Sequence, residues 1–422
     1  MKTIKVLPTI VILVLSIFVI SSCLKTNVEE NKVSEKLTDL VIPSDFNWST
    51  SRQVTFSLSS PKPVKLSIFY AEEDLKNNLL AECIATNEQN DPLILSLPNN
   101  IDQVFVKYQK NDGQENIIPL SINLNKVTFV VPNDAKEVEL STKANSNSEQ
   151  GVIFYPSALG GTILFEDLFP DKGDYDFNDF VANYIVEVFL QNKNKVYSAY
   201  VALNVNAVGG QLPYQFYLQL DGVSSKEISS LEIGENILNC PNFTCELVSS
   251  NDKDAPAVFL FKNVEKNPNK PANSNYINTE KDYILEFSKL VNVNVKINFK
   301  NAIKLENISE NKFNFFLAKG SATDLDEIHV SGFAPTKYGE SKYNDLKKNS
   351  SNLSPSDSRY YFSKDNFTWG ILVPMSIPHT YESIDFIKAY PNFKDWAVSG
   401  GTKNKNWYLS KYRNKQYMVN SL

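Results

Sequence analysis

The amino-acid sequence predicts an all-β protein, a small N-terminal β-sandwich followed by a larger domain of β-sandwich or jelly-roll-like type. Two observations carry this expectation. Apolar residues recur at every second position in several runs: Val291, Val293, Val295, Ile297 and Phe299 alternate with Asn292, Asn294, Lys296 and Asn298. Phe180, Ala182, Tyr184, Val186, Val188 and Leu190 form a second such face, with others at Tyr197, Ala199, Val201, Leu203, Val205 and Ala207 and at Tyr214, Phe216, Leu218 and Leu220. Alternation of this kind buries one face of an antiparallel sheet and leaves the other in water. Secondly, no comparable long stretch keeps apolar residues at i, i+3, i+4 and i+7, the spacing of an amphipathic helix.

Taken in chain order, residues 1–22 read as a secretory leader. Lys2 and Lys5 form its positive region, and an apolar run from Ile10 to Ile20, broken only by Ser16, follows. That run is well short of the roughly 20 residues of a membrane span. Ile20-Ser21-Ser22-Cys23 then resembles a bacterial lipobox. The resemblance implies cleavage before Cys23 and acylation of its thiol and amine, with palmitate or a similar chain, so that several acyl chains anchor the protein. Leu24 stands where an aspartate would signal inner-membrane retention, so the outer membrane is the expected location. Residues 23–44 are polar and mixed in charge, and are expected to form a flexible tether.

The small sandwich is expected over residues 45–140, with strands near 52–58, 64–70, 93–97, 101–109, 115–124 and 127–131. Residues 141–150 (STKANSNSEQ) have no apolar side chain apart from Ala144 and mark a boundary. The larger domain is expected over 150–422, interrupted by polar loops near 262–279 and 336–358. Cys240 and Cys245 bracket Pro-Asn-Phe-Thr, and either close a small disulfide loop or stay as buried free thiols; Cys83 is left without a partner.

Composition narrows the function classes. Hydrophobic residues make up 42% and aromatic residues 12% of the 422, enough for folded cores. Lys plus Arg is 42 against 48 Asp plus Glu, a net charge of −6; without Lys2 and Lys5 the balance is 40 against 48, or −8. Nothing then offsets phosphate repulsion, which excludes a charge-driven nucleic-acid binder, and the same balance disfavours a polybasic membrane patch. The two histidines, His329 and His379, stand in no short motif. A Ser-His-Asp triad or a His-rich zinc site is therefore not expected, and neither is an enzyme.

The most informative stretch runs Leu164-Phe-Glu-Asp-Leu-Phe-Pro-Asp-Lys-Gly-Asp-Tyr-Asp-Phe-Asn-Asp-Phe180. From Glu166 to Asp179 there are six carboxylates and one lysine, a charge of −5 in 14 residues. The spacing Asp174-x-Asp176-x-Asn178-Asp179 sets oxygen ligands at alternate positions, which a curled loop brings to one centre. Hard oxygens at this density suit calcium, which takes about six to eight of them. The stretch starts like an EF-hand and then departs from it, with Asp179 at the place of the glycine and Ile185 at that of the bidentate glutamate. A loop between two strands is expected instead, with Glu166 and Asp167 on one side and Asp174, Asp176, Asn178 and Asp179 on the other. Leu168, Phe169, Tyr175 and Phe177, interleaved with the acids, should pull the loop onto a core.

This loop and its context resemble the LruC-type domain of bacterial surface lipoproteins. The resemblance continues through Asn206-Ala-Val-Gly209, the stretch 214–223, Glu327-Ile-His-Val-Ser-Gly-Phe-Ala-Pro-Thr336, Tyr361-Phe-Ser-Lys-Asp-Asn-Phe-Thr-Trp369 and Ala389-Tyr-Pro-Asn-Phe-Lys-Asp-Trp-Ala-Val-Ser-Gly-Gly401, over about 150–410. It implies an extracytoplasmic β-sandwich with a calcium-binding loop and no particular activity. Phe169 stands where related loops often carry tryptophan. The expected protein is a non-catalytic, calcium-stabilised lipoprotein with a binding, adhesion or structural role toward a surface protein or glycan. The alternative is a glycan-binding lipoprotein of an uptake system, with Trp369, Trp396 and Trp407 stacking on sugars rather than filling a core. His329 is expected to be a satisfied structural histidine.

Overall fold

The computed structural model describes residues 36–71, 78–87, 91–139, 150–321 and 324–419. The leader, Cys23 and the tether up to residue 35 lie outside the described residues, as does most of the 141–150 stretch. Residues 36–422 gather into one compact unit.

The first strands are β1 (Ser51–Ser59), β2 (Val64–Phe69), β3 (Leu79–Ala85), β4 (Leu93–Pro98), β5 (Gln103–Gln109), β6 (Glu115–Ser121) and β7 (Lys126–Val130). They are followed by β8 (Gly151–Tyr155), β9 (Gly161–Phe165), β10 (Phe180–Gln191), β11 (Lys195–Ala207), β12 (Gln215–Ser224) and β13 (Ile228–Ile233). The remainder are β14 (Thr244–Leu247), β15 (Pro256–Lys262), β16 (Val291–Ile303), β17 (Phe313–Ser321), β18 (Asp324–His329) and β19 (Gly370–Val373). The architecture is all-β. A large sheet runs β13-β16-β11-β10-β8-β3-β2-β5-β6, with β9 on β10 and β19 on β9. A second sheet, β14-β15-β12-β17-β18, lies against it, and a third, β4-β1-β7, covers its N-terminal part.

The alternating runs fall where their period places them, except at the start of β11, where the register shifts between Val196 and Ser198 and Val196 rather than Tyr197 is buried. β10 and β11 pair antiparallel over their length, and β16 extends the ladder on the far side of β11. The faces they turn to β12, β15 and β17 form one apolar layer, where Phe180 stacks on Phe216 at 5.2 Å and Tyr184 meets Phe315 at 5.1 Å.

Three expectations are corrected. The 141–150 boundary does not separate two sheets, because β3 pairs with β8 through Ala81–Ile153 and Glu82–Val152 and so carries one sheet across it. β3 itself (LLAECIA) escapes a period-two reading because its apolar residues run nearly unbroken and include the helix formers Leu and Ala. The tether does not reach residue 44: Leu37, Leu40 and Ile42 are buried, and the Leu37 amide donates to Asp385 Oδ2 at 2.8 Å. Finally, the 336–358 loop contains a helix, α1 (Glu340–Asn349), with Glu340 in its first turn and Lys347 and Lys348 in its last, as the helix dipole favours.

Two more helices, α2 (Phe386–Ala389) and α3 (Pro391–Val398), belong to a second core on the other face of β9 and the start of β10. In α3, Pro391 occupies the first turn, and Phe393, Trp396 and Ala397 at helical spacing turn inward. Trp48, Trp396 and Trp407 meet there, and Trp369 packs against Phe169 in the first core. Trp369, Trp396 and Trp407 have no exposed surface, so they offer no sugar-stacking face. Cys83, Cys240 and Cys245 are free thiols: no disulfide joins Cys240 to Cys245, and Cys240 Sγ donates to the Asn263 carbonyl at 3.4 Å.

Candidate cation site

The acidic loop joins β9 to β10. Phe165 pairs with Phe180, so Glu166 and Asp179 leave the ladder opposite each other. The loop is pinned by its aromatic residues, as its sequence anticipates. Tyr175 and Phe177 are fully buried, against Phe367 and Phe386 respectively, and Phe169 is edge-on to Trp369 at 4.9 Å. Leu168 differs: it remains half exposed. Tyr175 and Phe177 both take left-handed backbone, with φ of 54°, a conformation bulky residues rarely adopt without support. The support is Glu166, whose carboxylate accepts the Phe177 amide at 2.6 Å and the Tyr175 amide at 3.3 Å.

The loop's path divides the predicted ligands. Glu166, Asp174 and Asp176 each bring one oxygen to within 4.8 Å of the others, with Glu166 and Asp176 buried and Asp174 exposed. Asp176 Oδ1 accepts the Asn178 amide at 3.1 Å and Oδ2 the Ser383 amide at 2.8 Å, while the Thr380 hydroxyl donates to the Asp176 carbonyl. Asp167 and Asp179 are not part of that three-carboxylate group; Asp179 Oδ2 accepts the Asp167 amide at 2.8 Å. Asn178 Oδ1 and Asp167 Oδ2 are buried and have no hydrogen-bond partner. Both press on a glycine pair: a side-chain carbon would stand 2.4 Å from Asn178 Oδ1 at Gly209 and 2.2 Å from Asp167 Oδ2 at Gly210.

One member escaped sequence reasoning. Glu382, held by the Thr279 hydroxyl at 3.0 Å, faces the same acids from a loop some 200 residues away, and nothing in its own neighbourhood marks it. Burial is the first cause of every shift here. It pushes Asp176 up to about 9, with Asp174, Asp179 and Glu382 adding to it, and Asp179 up to about 8, with Asp167 adding to it. Glu166 is raised well above the ordinary range by burial and then by Asp179, Asp176 and Asp174. Asp167, Asp174 and Glu382 are raised as well, burial again leading. Among the described residues no lysine or arginine forms an ion pair with any of these six. Carboxylates so placed repel when ionised, and buried oxygens without donors cost about 1–3 kcal/mol each. A divalent cation with hard-oxygen preference would relieve the repulsion among Glu166, Asp174 and Asp176, and three converging carboxylate oxygens fit calcium.

His329 is satisfied at both ring nitrogens, by Asn314 Oδ1 at 2.6 Å and Glu327 Oε2 at 3.0 Å, and is stacked on Phe316.

Stacked, mostly antiparallel sheets make this chain an extended β-sandwich protein. It belongs to the family described as Domain of unknown function (DUF4842), whose model matches residues 194–408, just over half of the chain. That span takes in Glu382 and the Gly209–Gly210 pair but starts beyond the 166–179 loop. The fold is similar to that of the crystal structure of a "Putative lipoprotein from Bacteroides ovatus", with a TM-score of 0.65 and 20% identity, covering 85% of this chain and 99% of that one. No curated protein matches the chain.

Proposed function

We propose that the chain is a non-catalytic, calcium-stabilised surface lipoprotein of the LruC type, anchored at the outer membrane through lipid on Cys23. Its role is binding, adhesion or structure toward a partner at the cell surface. The observation that carries the calcium reading is the oxygen cluster of Glu166, Asp174 and Asp176 together with the buried, unpartnered oxygens of Asn178 and Asp167. The lipid reading rests on Ile20-Ser21-Ser22-Cys23 and is supported by the lipoprotein description of the similar structure. Calcium here is a clip. It neutralises the join between β9 and β10 and ties the segment around Thr380–Ser383 to them.

The test is a thermal melt of residues 24–422 in calcium and in EDTA, for the wild type and Asp176→Ala. A cation at 100 times its dissociation constant adds about 2.7 kcal/mol. The expected result is a calcium-dependent rise in melting temperature that the variant lacks. Equal melts in calcium and EDTA would end the reading. The anchor is read separately by palmitate labelling of the full chain, which Cys23→Ala should abolish.

A further inference from the structure

Beside the acidic loop lies a cleft of about 690 Å³, between the 208–215 connection and the long loop after β15. That volume is in the usual range for a small-ligand site, roughly 300–1,000 Å³. The long polar loop expected from the sequence is fixed in place. Val208 and Ile277 exchange backbone hydrogen bonds at 3.0 and 2.9 Å, and Asn267 Nδ2 donates to the Lys289 carbonyl at 2.9 Å. A wall held this way is pre-organised and loses little freedom on binding.

The lining has a definite chemistry. Tyr214 is buried in one wall, and Lys319 Nζ stands 4.5 Å from its ring centre. Tyr276, half-buried, stands in the other wall and accepts from Gln211 Nε2 at 3.0 Å, which leaves its own hydroxyl hydrogen free to donate. Glu265 Oε2 is a buried acceptor with no hydrogen-bond partner; the side chain is only 16% exposed, and its other oxygen, Oε1, pairs with Lys266 Nζ at 3.9 Å. The two lysines at the rim are engaged: Lys266 donates to Asn263 Oδ1 at 2.9 Å and Lys270 to the Asn275 carbonyl at 2.8 Å. An anion would meet Glu265, and an apolar ligand would leave the buried Glu265 Oε2 unpaired. A sugar suits this lining, because its hydroxyls can both donate to Glu265 and accept from the Tyr276 hydroxyl while its C–H face lies on an aromatic ring.

We propose that this cleft is a saccharide-binding site, taking a neutral sugar ring against Tyr276 with its hydroxyls on Gln211, Glu265 and Asn275. The site deepens the binding role proposed above and rests on it only for the protein's being a binder. It also touches the acidic loop: Gly210 lines the cleft and packs on Asp167, and the Gly209 amide is within 3.1 Å of the Asn178 carbonyl.

The test is affinity electrophoresis of residues 24–422 through gels containing dextran, mannan, xylan or arabinogalactan, with chondroitin sulfate as the anionic probe. At least one neutral polysaccharide should retard the protein. Glu265→Gln and Tyr276→Ala should each weaken that retardation about tenfold, the loss expected for a hydrogen bond to a charged group or a stacking contact. Tyr412→Ala should leave it unchanged. Retardation by none of the neutral probes, by chondroitin sulfate alone, or as strong for both cleft variants as for the wild type would overturn the proposal. The melting-temperature rise in calcium is recorded on the same proteins. Its absence would count against the cation alone and leave the saccharide result standing.

Discussion

Removing the cation should make stability fall as pH rises, opposite to the usual carboxylate. Asp176 and Asp179 have ordinary values of 3.8 in the unfolded chain and about 9 and 8 in the folded one. Between those limits the folded state holds protons that the unfolded state has lost. Its stability is therefore intact below the unfolded value and is lost as pH climbs toward the folded ones. His379, lowered to about 4 by burial, acts with the opposite sign but is finished above its unfolded value of 6.5. The clean window is thus pH 6.5 to 8. Because the two acids act on each other's titration, we count at least one proton for the pair, about 1.4 kcal/mol per pH unit and so at least about 2 kcal/mol across the window. In EDTA, a series of urea titrations should show the unfolding free energy dropping by that amount. With saturating calcium the trend should vanish, and the apparent calcium affinity should strengthen up to about tenfold per pH unit as the displaced proton becomes easier to remove. Asp176→Asn should flatten the EDTA series. A chelated protein whose stability is level or rises from pH 6.5 to 8 would refute the buried-cluster reasoning.

Gly210→Ala places a methyl where only 2.2 Å separates it from Asp167 Oδ2, so it should cost about 1–3 kcal/mol in a urea titration and blunt the calcium response. Trp396→Ala empties the centre of the second core, where Phe46, Trp48, Phe393 and Trp407 converge, and should cost about 3–5 kcal/mol by the same measure. Burial pushes the Cys83 and Cys245 thiols up to about 12 and Cys240 up to about 11, so the folded 24–422 protein should react slowly with a thiol reagent at pH 8 and yield three thiols once denatured.

The sequence by itself determined what local pattern can determine. Period-two alternation over β10, β11, β12 and β16 is written in neighbouring residues, so the strands and their buried faces follow without knowledge of partners. The acidic loop declares its chemistry in the same way, since the crowd of oxygens and the aromatic residues that pin it are contiguous. β9 and the first residues of β10 are buried on both sides, and their unbroken apolar runs signal a second layer without saying what covers them. That cover was decided only in three dimensions. Residues 37–48 and α3, more than 300 positions apart, fill it together, so tryptophans legible as a binding platform are core instead. The join of β3 to β8 is likewise a pairing between segments, invisible to any window that sees one of them. Glu382 comes close enough to act on Asp176 and Asp179, and Tyr276 and Tyr214 line one cleft, for the same reason. Side-chain chemistry is carried by single residues, whereas the convergence of distant oxygens or rings is set by sheet order, which depends on how all the apolar faces are buried at once.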